Sequence, residues 1–287
     1  MNYKKELKEH GYVIIENVLS EEEINKAKEL FYEWKNKIPN IDKFHKTINP
    51  HGIFKFHEVG HQKHAWYLRT RPQIIKIFKD LWETDELIVS FDGCCHIPKE
   101  WDKKNSIWTH TDQSPVKKGL HCYQSFISLT SNSERTLVVY EGSHEIHEHY
   151  FKVINDEDNS SDWQMIDINF LEEIEDSKKV LNVPAGGLVI WDSRIFHQNQ
   201  YGKAGSEERL IQYLCYLPKN VKSNTETMIK KRRKYFDELR TTSHWPSPIH
   251  VVPKNPYVYG NTEYEIDYDL LEKPDLSEYM EEIEKLL

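Results

Sequence analysis

No stretch of this 287-residue chain approaches the ~18 consecutive apolar residues that a membrane-spanning helix needs, so a membrane partner is not expected. Cysteine is scarce: Cys94, Cys95, Cys122 and Cys215 form no Cys-x-x-Cys, and all lie in apolar, strand-like stretches. That pattern argues against a disulfide scaffold or a structural zinc site and fits buried thiols in a reducing compartment. Positive charge is short as well. Lys and Arg number 38 against 47 Asp and Glu, for a net charge of −9, which makes nucleic acid an unlikely fit because phosphate binding calls for a clustered basic surface. The one basic run, residues 230–234, adjoins Asp237 and Glu238 and reads as a solvated helix face. At the N-terminus Lys4, Lys5 and Glu6 stand where a signal peptide would place apolar residues, so a cytoplasmic, intracellular protein is expected.

Apolar and aromatic content is ample for a core, and its periodicity changes along the chain. Gly11-Tyr12-Val13-Ile14-Ile15 reads as a short strand. Ser20 followed by Glu23 forms a capping box, and Ile24, Ala27, Leu30, Phe31 and Trp34 then give the 3.6-residue stripe of a helix that ends before Pro39. Residues 41–63 read as loop, and a second helix is expected over about 73–82 after Pro72. From Leu87 onward short β-branched and aromatic runs follow at 87–91, 106–110, 122–129, 136–140, 187–191 and 209–216. Breaks of Gly, Pro, Asn and Ser between them argue an antiparallel sandwich or barrel. Residues 155–180 read as an acidic helical insertion, and His147 and His149 as solvent-facing. No internal repeat or linker is evident. The expectation is one domain over 1–218 with an N-terminal helical layer, and a helical, Tyr-rich acidic extension over 219–287 packed on it.

Within this frame His110-Thr111-Asp112 is the sole His-x-Asp of the chain. On a strand, residues two apart project from one face, about 6.6 Å apart, so both side chains can reach one ion. His197 near the end of a later strand would complete two imidazoles and one carboxylate, a set that leaves open positions and suits oxygen-activating non-haem Fe(II). Arg209 adds a second element. Gly202 and Gly205 suggest a hairpin turn that sets Arg209 opposite His197. An inward arginine there calls for an anion, such as the far carboxylate of a metal-chelating dicarboxylate. The alternative is a surface arginine paired with Glu207 or Glu208.

A rival metal signature is His57-Glu58-Val59-Gly60-His61, which matches the H-E-x-x-H of zinc metallopeptidases. It requires one helical turn, and Gly60 together with the alternating Ile53-Phe54-Lys55-Phe56 argues against a helix there.

The ordered set Gly11 to Ser20, Trp108-Thr109-His110-Thr111-Asp112-Gln113, Glu141-Gly142-Ser143-His144, Pro184-Ala185-Gly186-Gly187, His197 and Arg209 resembles the phytanoyl-CoA dioxygenase family of Fe(II)/2-oxoglutarate-dependent oxygenases. The resemblance covers about residues 5–218. It implies a mainly β fold with helices, a double-stranded β-helix (jelly-roll) core. It also implies iron at His110, Asp112 and His197, and the distal carboxylate of 2-oxoglutarate at Arg209. Gln124 and Ser128 share strand parity and fall where the family has cosubstrate contacts. Three protein ligands leave two positions for the keto acid and one for O₂. The implied reaction releases succinate and CO₂ and hydroxylates a C–H of an unidentified small molecule or side chain. Asp112 argues against halogenation, since related halogenases lack this carboxylate. Trp108, Gln113, Asp92 and Arg194 are candidates for substrate contact. Ser128, Ile211 and Thr136-Leu137 depart from the family pattern, and the tail from about 219 has no counterpart in it. Two other readings stand beside this one: a jelly roll that binds metal without turnover, and a metallopeptidase using His57, Glu58 and His61.

Overall fold

The computed structural model describes residues 2–287, and the chain divides into two compact units. The first comprises residues 1–16 and 97–209, and the second residues 17–96 and 210–287. In chain order the early strands are β1 Tyr12–Ile15, β2 Ile53–Phe54, β3 Leu87–Val89, β4 Cys94–Ile97, β5 His110–Thr111 and β6 Tyr123–Ser128. The later ones are β7 Leu137–Tyr140, β8 Gln164–Met165, β9 Lys178–Val180, β10 Leu188–Asp192, β11 His197–Asn199, β12 Arg209–Tyr213 and β13 Tyr216–Pro218.

The first unit is built on two antiparallel arrays. In one, β10 lies between β1 and β6, with Tyr12 opposite Trp191 and Trp191 opposite Gln124. The central strand β10 is wholly buried, so it reads as a continuous apolar run (Leu188-Val189-Ile190-Trp191) instead of alternating. The other array has the order β8-β5-β11-β7-β9. Two helices cover it. Ser143–Val153 and Ile168–Glu173 bury Tyr150, Phe151 and Leu171 against Tyr140, Ile166 and Phe196. At about 1.5–3 kcal/mol per fully buried large side chain, this cluster fixes the outer face of the sheet whose inner face carries the candidate site.

The helix Ser143–Val153 was not expected. Its inward stripe is His144, His147, Tyr150 and Phe151, and His147 is fully buried with Nε2 2.8 Å from the Gln113 carbonyl. His147 is therefore a core residue, held neutral by burial that lowers it to about 4, while His149 does face solvent. The acidic segment 155–180 is α-helical over Ile168–Glu173, has a 3-10 turn at Glu175–Ser177, and otherwise contributes β8 and β9.

The second unit carries most of the remaining helices: Glu21–Asn36, Ile41–Ile48, Lys63–Arg69, Pro72–Trp82, Glu226–Asp237 and Met280–Leu286. The capping box forms as the sequence requires. Ser20 Oγ accepts from the Glu23 amide at 3.2 Å and Glu23 accepts from the Ser20 amide at 2.9 Å. Residues 41–63, where a loop was expected, contain the helix Ile41–Ile48, strand β2 and two short 3-10 turns. Ile41, Phe44, His45 and Ile48 are spaced for one helix face, with His45 filling an apolar position. Strands β2 and β4 pair antiparallel here, as do β3 and β13.

Candidate metal centre

Strand pairing, more than chain proximity, assembles the site. His110 of β5 and His197 of β11 are register partners, so their side chains leave the sheet side by side on one face, with ring centroids 4.4 Å apart. Each ring is oriented by its own backbone. His110 Nδ1 lies 3.1 Å from the Trp108 carbonyl and His197 Nδ1 3.0 Å from the Ile195 carbonyl. A carbonyl can only accept, so the proton sits on Nδ1 in both rings and each Nε2 presents a lone pair. Both lone pairs meet one oxygen: Asp112 Oδ2 is 3.5 Å from His110 Nε2 and 3.3 Å from His197 Nε2. All three donor atoms fall within 4.8 Å of one another, the sole such grouping of His, Cys, Asp and Glu among the described residues. Burial lowers the His197 pKa, helped by the neighbouring His110, so that ring remains the neutral, metal-competent form.

These residues fit a divalent ion. Two neutral imidazole nitrogens and one carboxylate converge on a single point, and the second nitrogen of each ring is already committed, as in metal sites with oriented histidines. Gln124 joins them. Its Nε2 donates to Asp112 Oδ2 at 2.9 Å, and its Oε1 accepts from Trp191 Nε1 at 2.8 Å.

Arg209 is the other unusual group. Four arginines are essentially fully buried: Arg69, Arg135, Arg209 and Arg232. Arg135 donates to the carbonyls of Pro98, Lys99 (3.0 Å) and Trp101 (2.6 Å). Arg69 donates to Gly60 and Asp92 carbonyls at 2.5 and 2.6 Å, and Arg232 to Asn224 and to Pro246 at 2.9 and 2.6 Å. None of the three guanidinium nitrogens of Arg209 has a hydrogen-bond partner among the described residues. Its neighbour is apolar, the Phe126 ring at 5.3 Å. The alternative, a surface arginine paired with Glu207 or Glu208, does not hold: Arg209 is buried, and Glu207 Oε1 accepts the successive amides of Ser133, Glu134 and Arg135 at 2.9, 2.9 and 2.7 Å.

The hairpin expected between His197 and Arg209 is corrected. Strand β11 is flanked on both sides, by β5 and β7, so β12 cannot pair with it. The segment 200–208 is a crossing loop, with Gly202 and Gly205 at positive φ. Arg209 nonetheless reaches the face shared by Gln124 and Phe126, two residues apart on β6.

Other expected site residues have other employment. Ser128 is fully buried and donates to the Thr130 carbonyl at 2.7 Å. All of the polar atoms of Gln113 are used within the protein: Nε2 donates to Lys117 and Gly119 carbonyls, and Oε1 accepts from Ser193 Oγ and the His121 amide. Arg194 forks onto Asp192 at 2.9 and 2.7 Å. Asp92 belongs to the other unit, where Ser90 and Arg69 engage it and burial raises its carboxyl to about 6. Trp108 does flank the cluster, stacked 4.9 Å from the His110 ring.

Two neighbours were missed. Met165 is the register partner of His110, and the Trp163 ring lies 5.6 Å from the His110 ring. Both stay about half exposed, at 53% and 51%, leaving apolar surface open beside the cluster. They lie in the stretch read as a helical insertion, and nothing in its composition marks them.

The H-E-x-x-H segment makes no helix. His57 and Glu58 have left-handed backbone (φ 58° and 56°), and at Gly60 an added Cβ would sit 2.1 Å from the Phe91 carbonyl oxygen. His57 packs on Phe44, His61 faces the Arg240 carbonyl at 3.1 Å, and Glu58 pairs with Lys273. The three side chains share no common point for an ion, which removes the metallopeptidase reading.

Comparison with known proteins agrees with this geometry. "Ava biosynthesis cluster protein O" of Aspergillus versicolor is 28% identical over 267 residues, covering 85% of this chain and 86% of that one. Among solved structures, the non-heme monooxygenase ThoJ in its apo form superposes with a TM-score of 0.55 at 15% identity, over 78% of this chain and 80% of its own. EctD from S. alaskensis with bound Fe gives 0.53 at 14% identity, over 75% of each chain, and the same protein has been solved with 2-oxoglutarate and 5-hydroxyectoine. At such identities these two establish the fold, a jelly roll. No helix among the described residues is long and apolar enough to cross a membrane. The model of the family Phytanoyl-CoA dioxygenase (PhyH) matches residues 7–200, and the chain belongs to this family of 2-oxoglutarate-dependent non-haem iron oxygenases.

Proposed function

We propose that the chain is a hydroxylase of an apolar small molecule, with Fe(II) held by His110 Nε2, His197 Nε2 and an oxygen of Asp112, and 2-oxoglutarate held by Arg209. The observation that carries this reading is the buried guanidinium of Arg209, which has no partner in a unit where three other donor atoms converge on one point. Leaving such a charge unpaired is costly, so its retention points to an anionic ligand. Gln124 and Phe126 stand about 6.6 Å apart along β6, one touching the cluster and the other the guanidinium, a spacing suited to a short dicarboxylate lying along the strand.

When bound, iron supplies oxidative decarboxylation of 2-oxoglutarate by O₂ to succinate and CO₂, with the second oxygen atom inserted into a substrate C–H bond. The residues do the rest. His110 and His197 offer neutral nitrogens whose tautomers their carbonyl partners fix. Asp112 supplies the negative charge and occupies the position a halide would need, which favours hydroxylation. Burial of the histidines, 5% exposed each, keeps bulk water from the inner face. Trp163 and Met165 offer an apolar surface beside His110 on which an apolar substrate can lie. A small molecule also suits the Aspergillus versicolor relative, whose name assigns it to a biosynthesis cluster.

The test is succinate formation from 2-oxoglutarate with Fe(II) and O₂, first without and then with a panel of apolar and polar metabolites. Succinate release stimulated by apolar members supports the reading. Metal-loaded protein that consumes no 2-oxoglutarate refutes it and favours a binding role.

A further inference from the structure

Asp112 lies one residue past the end of β5, outside the ladder that holds His110, with its amide donating to the Ser193 carbonyl at 3.3 Å. Its carboxylate is met by the Gln124 amide. A glutamine amide can present either its oxygen or its NH₂, which are similar in shape and opposite in charge. What decides the choice here is Trp191. An indole Nε1–H donates and never accepts, so it accepts only the carbonyl side of the amide as its neighbour. Trp191 and Gln124 are register partners on β10 and β6, and both are buried (2% and 4% exposed), so the indole contact is shielded from solvent. With Oε1 2.8 Å from the indole nitrogen, the NH₂ must face Asp112, which it does at 2.9 Å. The reversed amide would set oxygen against carboxylate and N–H against N–H.

We infer that Trp191 is a positioning residue for the metal centre: through Gln124 it sets the polarity of a side-chain amide that holds the Asp112 carboxylate toward both histidines. This rests on the proposed ligand set, and it adds a residue that touches neither metal nor cosubstrate. Trp191 also packs 5.5 Å from the His197 ring, so a purely steric role is the competing explanation, and the test must separate the two.

The experiment measures Co(II) affinity by calorimetry and the visible spectrum of the Co(II) protein, in wild type, Trp191→Phe, Gln124→Met and the double variant. Phenylalanine keeps the ring packing but removes the donor, and methionine keeps the length of glutamine without its amide. Loss of an outer partner of a metal ligand costs ~10–100-fold in affinity. Each single variant is expected to lose about tenfold and to alter the Co(II) spectrum, and the double variant to lose no more than Gln124→Met alone. Additive losses mean that Trp191 acts through packing and overturn the inference, as does wild-type affinity in Trp191→Phe. If a variant fails to fold, wild-type protein decides by NMR: Zn(II) binding must move the assigned Trp191 indole N–H resonance, and an unmoved resonance overturns the relay. Failure of the whole reading looks different, because wild type itself would then bind no Co(II) at this site.

Discussion

Each unit of this protein buries a set of histidines, and the two sets behave in opposite ways. In the first unit His110 and His197 each turn a free Nε2 toward one carboxylate. In the second, His45, His57, His61 and His64 are buried near one another in sequence, close to Glu58, yet they face in separate directions. His45 stacks on Phe54 at 3.6 Å, and His64 packs between Phe31 and Trp34 with neither ring nitrogen bonded. Burial pushes these rings down to about 3, or about 4 for His57, so they serve as neutral aromatic core. Richness in histidine therefore says little about metal. What matters is which nitrogen the backbone leaves free and what that nitrogen faces.

The sharpest way to break this contrast is to delete a histidine from each set. His110→Ala or His197→Ala is expected to reduce iron content to background and abolish 2-oxoglutarate turnover, whereas His57→Ala and His61→Ala retain stoichiometric metal; metal analysis of the purified variants decides. Next in size is Arg209→Gln. A charge-assisted bidentate contact is worth about 1.5–3 kcal/mol, so the KM for 2-oxoglutarate should rise about tenfold to a hundredfold with metal content unchanged. The same arginine gives a stability test. Arg209→Met should leave the cosubstrate-free protein as stable as wild type or more so, by up to about 4 kcal/mol, since it removes an unpaired buried charge. Arg135→Met should be destabilising by ~1–3 kcal/mol for each carbonyl it strands, read by chemical denaturation.

The smallest effect is the pH response of the second set. These histidines resist protonation in the fold down to about 3 but take up a proton near 6.5 once unfolded. Between those values the unfolded chain binds more protons. Stability is thus fully present above about pH 6.5 and falls as the pH drops, by about 1.4 kcal/mol per pH unit for each such group. His64→Phe should flatten that slope by one histidine's share. An unchanged slope would mean that His64 is not neutral in the fold.

Much of the fold was legible because strands buried on both sides leave long apolar runs, and the capping box marks a helix start unambiguously. The helices Ile41–Ile48 and Ser143–Val153 were missed for one shared reason: both place histidine in their apolar stripe, where hydropathy counts it as polar. Of the candidate site, the residue types and order of His110, Asp112 and His197, which the structure brings together, and of the buried Arg209 were readable. Pairing was not. Nothing local tells that β11 inserts between β5 and β7, that Gln124 faces Trp191, or that Met165 lies opposite His110, because register is settled by long-range packing.

The empty-handed guanidinium of Arg209 has a consequence for selectivity. A 2-oxo acid with no second carboxylate could still chelate a metal, but it would leave the cation as stranded as before. Sites whose buried polar groups are left unmatched reject the deficient analogue by as much as ~10⁴-fold, far beyond what shape alone provides. On the proposed reading, one unpaired arginine makes the protein discriminate against pyruvate and other short keto acids that carry no second carboxylate.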